Sequence, residues 1–255
     1  MKIITLFITL NLFVSSCKKG NNTDNLPAST DKCRGRYDKE LFTSLKATLH
    51  LQYGTALNIA GSQENLLLDL YEPGNDTATK RAMIMFVHGG AWIGGTKMQG
   101  RELCSSFTKK GYVAATIDYR LGIESPLNDK TRGEAVYRGV QDIKAAIRFA
   151  RANANLYKID TAQIFIGGYS AGGVNAVHAA CWNESEVPLN TDKTRWGTLE
   201  GAGGNASCSS GVQAVYGIAS FIVNLNWIQS GQPPIVCVYR KIFSKCCCYL
   251  HLNTD

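Results

Sequence analysis

The stretch Ala82-Met83-Ile84-Met85-Phe86-Val87 constrains the fold more than any other part of the chain. It is short, continuously apolar and shows no alternation, so it reads as a strand buried on both faces. Such a strand needs cover above and below, which means helices on either side of a mostly parallel sheet. The flanking sequence supplies that alternation. Leu66 to Tyr71 reads as a strand closed by Pro73-Gly74. A helix is expected over Gln99 to Lys110 and a strand over Tyr112 to Asp118. From Glu134 to Ala154, Val136, Val140, Ile143, Ile147 and Ala150 recur at helical spacing, the pattern of an amphipathic helix. Gln163 to Gly167 reads as a strand, Ala171 to Ala180 as a helix, and Val212 to Ala219 and Pro234 to Val238 as further strands. The expected class is α/β, with a mostly parallel sheet flanked by helices over residues 31–238 and no internal repeat.

Composition narrows the function. With 255 residues, 45% apolar and 18% charged, the chain can bury a real core, which excludes disorder as the main reading. The net charge of +7 is scattered in short pairs such as Lys18-Lys19 and Lys109-Lys110. No basic stripe interleaves with aromatics, so nucleic-acid binding is not expected. There is no C-x-x-C pair, and the histidines at 50, 88, 178 and 251 are dispersed. No metal site and no cofactor are expected.

The N-terminus reads as an address. Lys2 precedes an apolar stretch from Ile3 to Val14 that is too short to span a bilayer, so residues 1–16 are expected to be a signal peptide. The sequence Val14-Ser15-Ser16-Cys17 resembles a bacterial lipobox, which implies lipidation at Cys17. An ordinary signal peptide with a chance cysteine is the alternative. Residues 17–30 then form the lipidated cysteine and a polar, flexible tether. The expectation is an exported lipoprotein of a bacterial cell envelope, held to the membrane through its lipid. Export brings oxidising conditions. Cys181 and Cys208, which bracket a Gly/Asn/Thr-rich insert, are candidates for a disulfide, with two free thiols as the alternative.

The chemistry begins at Gly168-Tyr169-Ser170-Ala171-Gly172, a G-x-S-x-G. In a chain with 25 glycines the match alone is weak. Its position between an apolar strand and an Ala-rich helix is what a nucleophile elbow requires. Upstream, His88-Gly89-Gly90-Ala91-Trp92 directly follows the buried strand. Glycines there let the backbone turn an N–H toward a substrate carbonyl, and with the Ala171 N–H they would form an oxyanion hole. His88 is expected to tie this loop in place, and His178 to point into packing or solvent. Two phosphate-binding matches fail. Gly90 to Lys97 ends Gly-Thr-Lys where a P-loop needs Gly-Lys-Ser/Thr. Gly201 to Ala206 follows no strand and opens no helix.

These motifs, in this order, resemble the α/β-hydrolase superfamily. The carboxylesterase branch with an H-G-G-x-W loop is the nearest match, and it includes hormone-sensitive-lipase-like and feruloyl or acetyl esterases. The resemblance covers roughly residues 64–238. It implies that Ser170 is the nucleophile, that Gly89, Gly90 and Ala171 are oxyanion donors, and that Trp92 is a wall of the substrate pocket. It also implies that Asp118-Tyr119-Arg120-Leu121 braces the site's floor, and that the substrate is a small-molecule or glycan-linked ester. A triad in this fold continues to an acid and then a histidine. After Glu200 the chain holds only Asp255 as an acid, and after His178 only His251, in the reverse order. The segment from Tyr239, with Cys246-Cys247-Cys248, fits neither the expected loop nor a helix. A frameshift or truncation near residue 239, removing the last strand and helix and leaving an atypical tail over 239–255, is the expectation. An evolved tail with His251 as base is the alternative. The functional expectation is therefore a serine ester hydrolase by lineage, impaired as given. An amidase or peptidase on the same scaffold, and a catalytically dead surface lipoprotein, stand beside it. The sequence leaves the oligomeric state open.

Overall fold

The computed structural model describes residues 35–238. The signal-like segment 1–16, Cys17 and its tether, and the tail 239–255 with His251 and Asp255 lie outside the described residues. The strands are β1 (Leu45–Leu57), β2 (Gln63–Pro73), β3 (Arg81–Val87), β4 (Val113–Ile117), β5 (Ile159–Tyr169), β6 (Ala214–Ile218) and β7 (Ile235–Val238). They form one sheet in the order β1-β2-β4-β3-β5-β6-β7. β1 with β2 and β2 with β4 pair antiparallel, while every pairing from β4 to β7 is parallel. The helices are α1 (Arg101–Lys109), α2 (Asp129–Ala152), α3 (Ala171–Cys181) and the short α4 (Lys193–Trp196).

All of β3 is buried, and its residues divide by parity between two cores. Met83, Met85 and Val87 join Val140, Ile143 and Ile147 of α2 and Val174 and Val177 of α3. Ile84 and Phe86 face the other way, with Cys104 of α1 and Ala114. From Ala82 to Val87 the strand is buried on both faces among apolar groups, which is why this stretch does not alternate.

α2 differs from its periodicity in two ways. It begins at Asp129, five positions before the expected start at Glu134, because Asn128 and Thr131 cap each other's backbone N–H groups at 3.0 and 3.1 Å. Its polar flank also does not meet water. Lys144 and Arg148 pair with Glu200 at 2.8 and 2.9 Å. Gln141 donates to the carbonyls of Trp196 and Thr198. The insert between α3 and β6 is thereby clamped onto α2 by ion pairs. It is not clamped by a disulfide, since Cys181 and Cys208 are both free thiols. Cys181 closes α3, whereas Cys208 sits in a turn closed on Asn205. The expected helix from Gln99 opens as a 3-10 turn over Lys97–Gly100 before α1. β1 lies in a stretch that shows no strand signal in the sequence. It is an edge strand with mostly exposed residues and two register shifts against β2, so its apolar alternation is weak.

Candidate active site

β5 ends at Tyr169 and α3 begins at Ala171, so Ser170 makes the turn by itself. Its backbone sits at φ 52, ψ −122. A residue with a Cβ enters such a region at a cost of roughly 1–3 kcal/mol and stays only where its surroundings over-determine it. Two hydrogen bonds do so. The Ser170 N–H donates to the Ile218 carbonyl of β6 at 2.8 Å, and the Ser170 carbonyl accepts from Val174 at 2.9 Å. The hydroxyl does not cap the helix. The N–H groups of Ala171, Gly172 and Gly173 have no carbonyl a turn earlier inside the helix, so this end of α3 carries unpaired donors and partial positive charge.

The loop after β3 lies directly against this turn. A Cβ on Gly172 would strike the carbonyl oxygens of Val87 and His88, so glycine is what lets α3 start this close to β3. A Cβ on Gly89 would stand 3.3 Å from Ser170 Cβ and 3.0 Å from the Tyr169 carbonyl. Gly90 follows at φ 126, then Ala91 and Trp92 at φ 52 and 61. The Gly90 carbonyl accepts from Ile93 and Gly94 at 3.0 and 3.1 Å, which closes the turn. The structure thus brings together the serine, the glycine loop and the donor end of α3.

The side chains around the loop act as braces. His88 is fully buried, with Nδ1 2.7 Å from the Gly89 carbonyl and its ring stacked on Tyr119 at 4.5 Å. Burial pushes its pKa down, so the ring is neutral and Nδ1 carries the proton. Tyr119 in turn donates to the His88 carbonyl at 3.2 Å. Arg120 grips Asp142 of α2 through two nitrogens and its own backbone N–H. Trp92, expected as a pocket wall, is only 8% exposed and turns its indole N–H inward to Asn175 at 2.9 Å. A ring held from beneath supports the loop and leaves little surface for a ligand. His178 is fully buried, with Nδ1 bonded to the Val174 carbonyl.

Two features escape sequence reading. Lys97, at the end of the rejected P-loop match, is buried with its ammonium 3.7 Å from Asp69 and 3.4 Å from Asp118. Its backbone N–H also donates to Asp118 at 2.6 Å, which fastens the far end of the glycine loop to the segment just after β4. Asn175, the second, meets Trp92 from a different element. Two cavities of about 370 and 410 Å³ lie between β1 and the 194–205 segment and include neither Ser170 nor the glycine loop.

A mixed sheet with helices on both faces, a strained serine between strand and helix, and an H-G-G-x-W loop backed against it define an α/β-hydrolase of the hormone-sensitive-lipase-like kind. The chain belongs to the BD-FAE family, which matches residues 68–234. Among curated proteins it is similar to esterase LipC of Mycobacterium tuberculosis, 35% identical over 139 residues, which are 52% of this chain and 32% of that one. It is also similar to a probable isoprenylcysteine alpha-carbonyl methylesterase of Arabidopsis thaliana. That match is 30% identical over 186 residues, or 72% of this chain and 34% of the relative. The chain therefore spans about a third of the length of these relatives. Among solved structures, Thermogutta terrifontis esterase 2 phosphorylated by paraoxon aligns with a TM-score of 0.55 and 26% identity. The alignment covers 77% of this chain and 70% of that one.

Proposed function

We propose that the chain is a serine carboxylic-ester hydrolase that works through an acyl-enzyme, with Ser170 as nucleophile and the N–H groups of Gly89, Gly90 and Ala171 as oxyanion donors. The observation that carries this reading is the strained turn at Ser170 with Gly89 pressed against it. Ser170 Oγ would attack the ester carbonyl carbon and lose its proton to a base. The C–O bond would then break, and the alcohol would leave with a proton. Water would next cleave the acyl-serine, releasing the acid and restoring the hydroxyl. The names of the relatives support ester chemistry, and small-molecule or glycan-linked esters are the proposed substrates. A neighbour phosphorylated by paraoxon supports trapping this serine with a phosphorus ester. The same serine could open an amide, so ester and amide substrates should be compared side by side.

The base is where a second reading gains support. His50 contacts Lys97, His88 holds Gly89 and His178 holds Val174, and none of these described histidines bonds Ser170. We infer that residues 18–255 turn over esters poorly and that a binding role without turnover is the competing reading. Purified 18–255 and its Ser170→Ala variant should be compared on p-nitrophenyl acetate and with a fluorophosphonate probe. The expected result is slow labelling at Ser170, none in the variant, and turnover far below the ordinary roughly 1–10³ s⁻¹. Labelling that survives Ser170→Ala overturns the nucleophile. Ordinary turnover that the substitution abolishes overturns the impairment and makes His251 the first residue to mutate.

A further inference from the structure

We infer that Asn175 is a positioning residue for the oxyanion loop and acts through Trp92. The inference rests on the proposed roles of Ser170, Gly89 and Gly90. Asn175 is completely buried on α3, and its Oδ1 accepts the indole N–H of Trp92 at 2.9 Å. Its amide fills the room left by the missing side chain of Gly139 on α2, where a Cβ would overlap it. The acceptor is thus clamped between two helices and offered to the loop at one point.

Trp92 is the loop residue that needs such a clamp. It and Ala91 both lie in the left-handed region, at φ 61 and 52. Two successive side-chain-bearing residues there are unstable without outside support. The second support comes from the opposite side. The Trp92 carbonyl accepts the Gly122 N–H at 2.6 Å, and the Gly122 carbonyl accepts from Arg138 of α2 at 2.5 Å. If Trp92 relaxed toward ordinary dihedrals, the peptides just before it would rotate. The donors at Gly89 and Gly90 would then leave their place beside Ser170. α3 also supplies the Ala171 donor, so one helix sets both halves of the hole, and Asn175 fixes the spacing between them.

The test compares Asn175→Leu, which keeps the bulk and removes the acceptor, with Trp92→Phe, which removes the donor, and with both together. Two readouts are taken on residues 18–255: the rate constant of fluorophosphonate labelling at Ser170, and amide exchange of residues 88–95 by mass spectrometry. Each single change should slow labelling by about ten- to a hundredfold, the range expected for a misplaced reactive group. Exchange over 88–95 should rise while β3 and α3 stay protected. The double variant should be no worse than the poorer single one, because the bond is already gone. Unchanged exchange over 88–95 in Asn175→Leu, or additive losses in the double variant, overturns the inference. If Asn175→Leu does not fold, Trp92→Phe reads the same bond from its other end. Labelling that persists in Ser170→Ala defeats the nucleophile assignment instead, and the exchange data still decide the role of Asn175.

Discussion

A neutral imidazole enclosed by aromatic rings titrates far from its ordinary range, and His178 is such a ring. Its Nδ1–H donates to the Val174 carbonyl at 2.7 Å, and Trp182 and Trp227 meet it edge-on at 4.8 and 5.7 Å. Burial drives its pKa down to about 4, against about 6.5 in an unfolded chain. Between those values the unfolded chain takes up a proton that the folded one refuses. Stability is therefore full above the unfolded value, declines as pH falls through the window, and levels off below the folded value. The shift corresponds to an upper limit of about 3 kcal/mol. Urea unfolding at pH 7 and pH 4.5 should show the native chain losing about 2 kcal/mol more than a His178→Leu variant. His88, also lowered by burial, leaves a residual slope of the same sign in the variant. Parallel losses in the two proteins would clear His178 of the effect.

The segment after β4 is joined to α2 by a buried ion pair that does more than balance charge. Arg120 reaches Asp142 at 2.7 Å and also donates to the carbonyls of Leu57 and Arg138 and to Gln141. One guanidinium thus ties the end of β1, the post-β4 segment and α2 together. Asp142→Ala should cost about 3–5 kcal/mol, because it strands a buried cation, and adding Arg120→Met should recover part of that loss. Denaturant titrations that find under about 1 kcal/mol for the single change would contradict the tie. Elements of this kind divide by how far the sequence discloses them. β3 and the serine turn were legible because their requirements are local: unbroken apolarity for a strand covered twice, small residues around a sharp bend. The start of α2, the clamping of the 182–211 insert and the strand β1 were not. Their determinants are a reciprocal cap, a glutamate met from a distant helix, and an edge with little apolar surface. Lys97 shows the same limit. Its spacing imitates a phosphate loop, but its ammonium is taken up by Asp69 on β2 and by Asp118 just after β4. Asn175 carries no local signal, since its partner stands on a loop far upstream in sequence.

Taken as a whole, the described residues contain no helix long and apolar enough to cross a membrane. Lipidation at Cys17 is the proposal that the lipobox-like residues 14–17 support. Expressed in a Gram-negative host, the full chain should incorporate labelled palmitate, and Cys17→Ser should abolish incorporation and release the protein from the membrane fraction. A wild-type product found wholly in the soluble fraction would defeat the anchor. At the β7 edge of the sheet, Val236 and Val238 are exposed, as are Tyr169 beside the serine and Phe221 and Val223 beyond β6. An apolar outer strand of this kind favours self-association, so these measurements need dilute protein.

The turn at Ser170 also bears on how such a sequence drifts over generations. Glycine enters φ 52 without steric resistance, so glycine at position 170 would ease the backbone while discarding the hydroxyl. For a protein living near its stability threshold, that exchange is advantageous as soon as turnover stops mattering. A lineage released from chemistry would therefore be drawn toward glycine at this position, and one still under selection would be held against the slope. The residue found at 170 among descendants of this gene thus registers whether the hydroxyl is in use, independently of any assay.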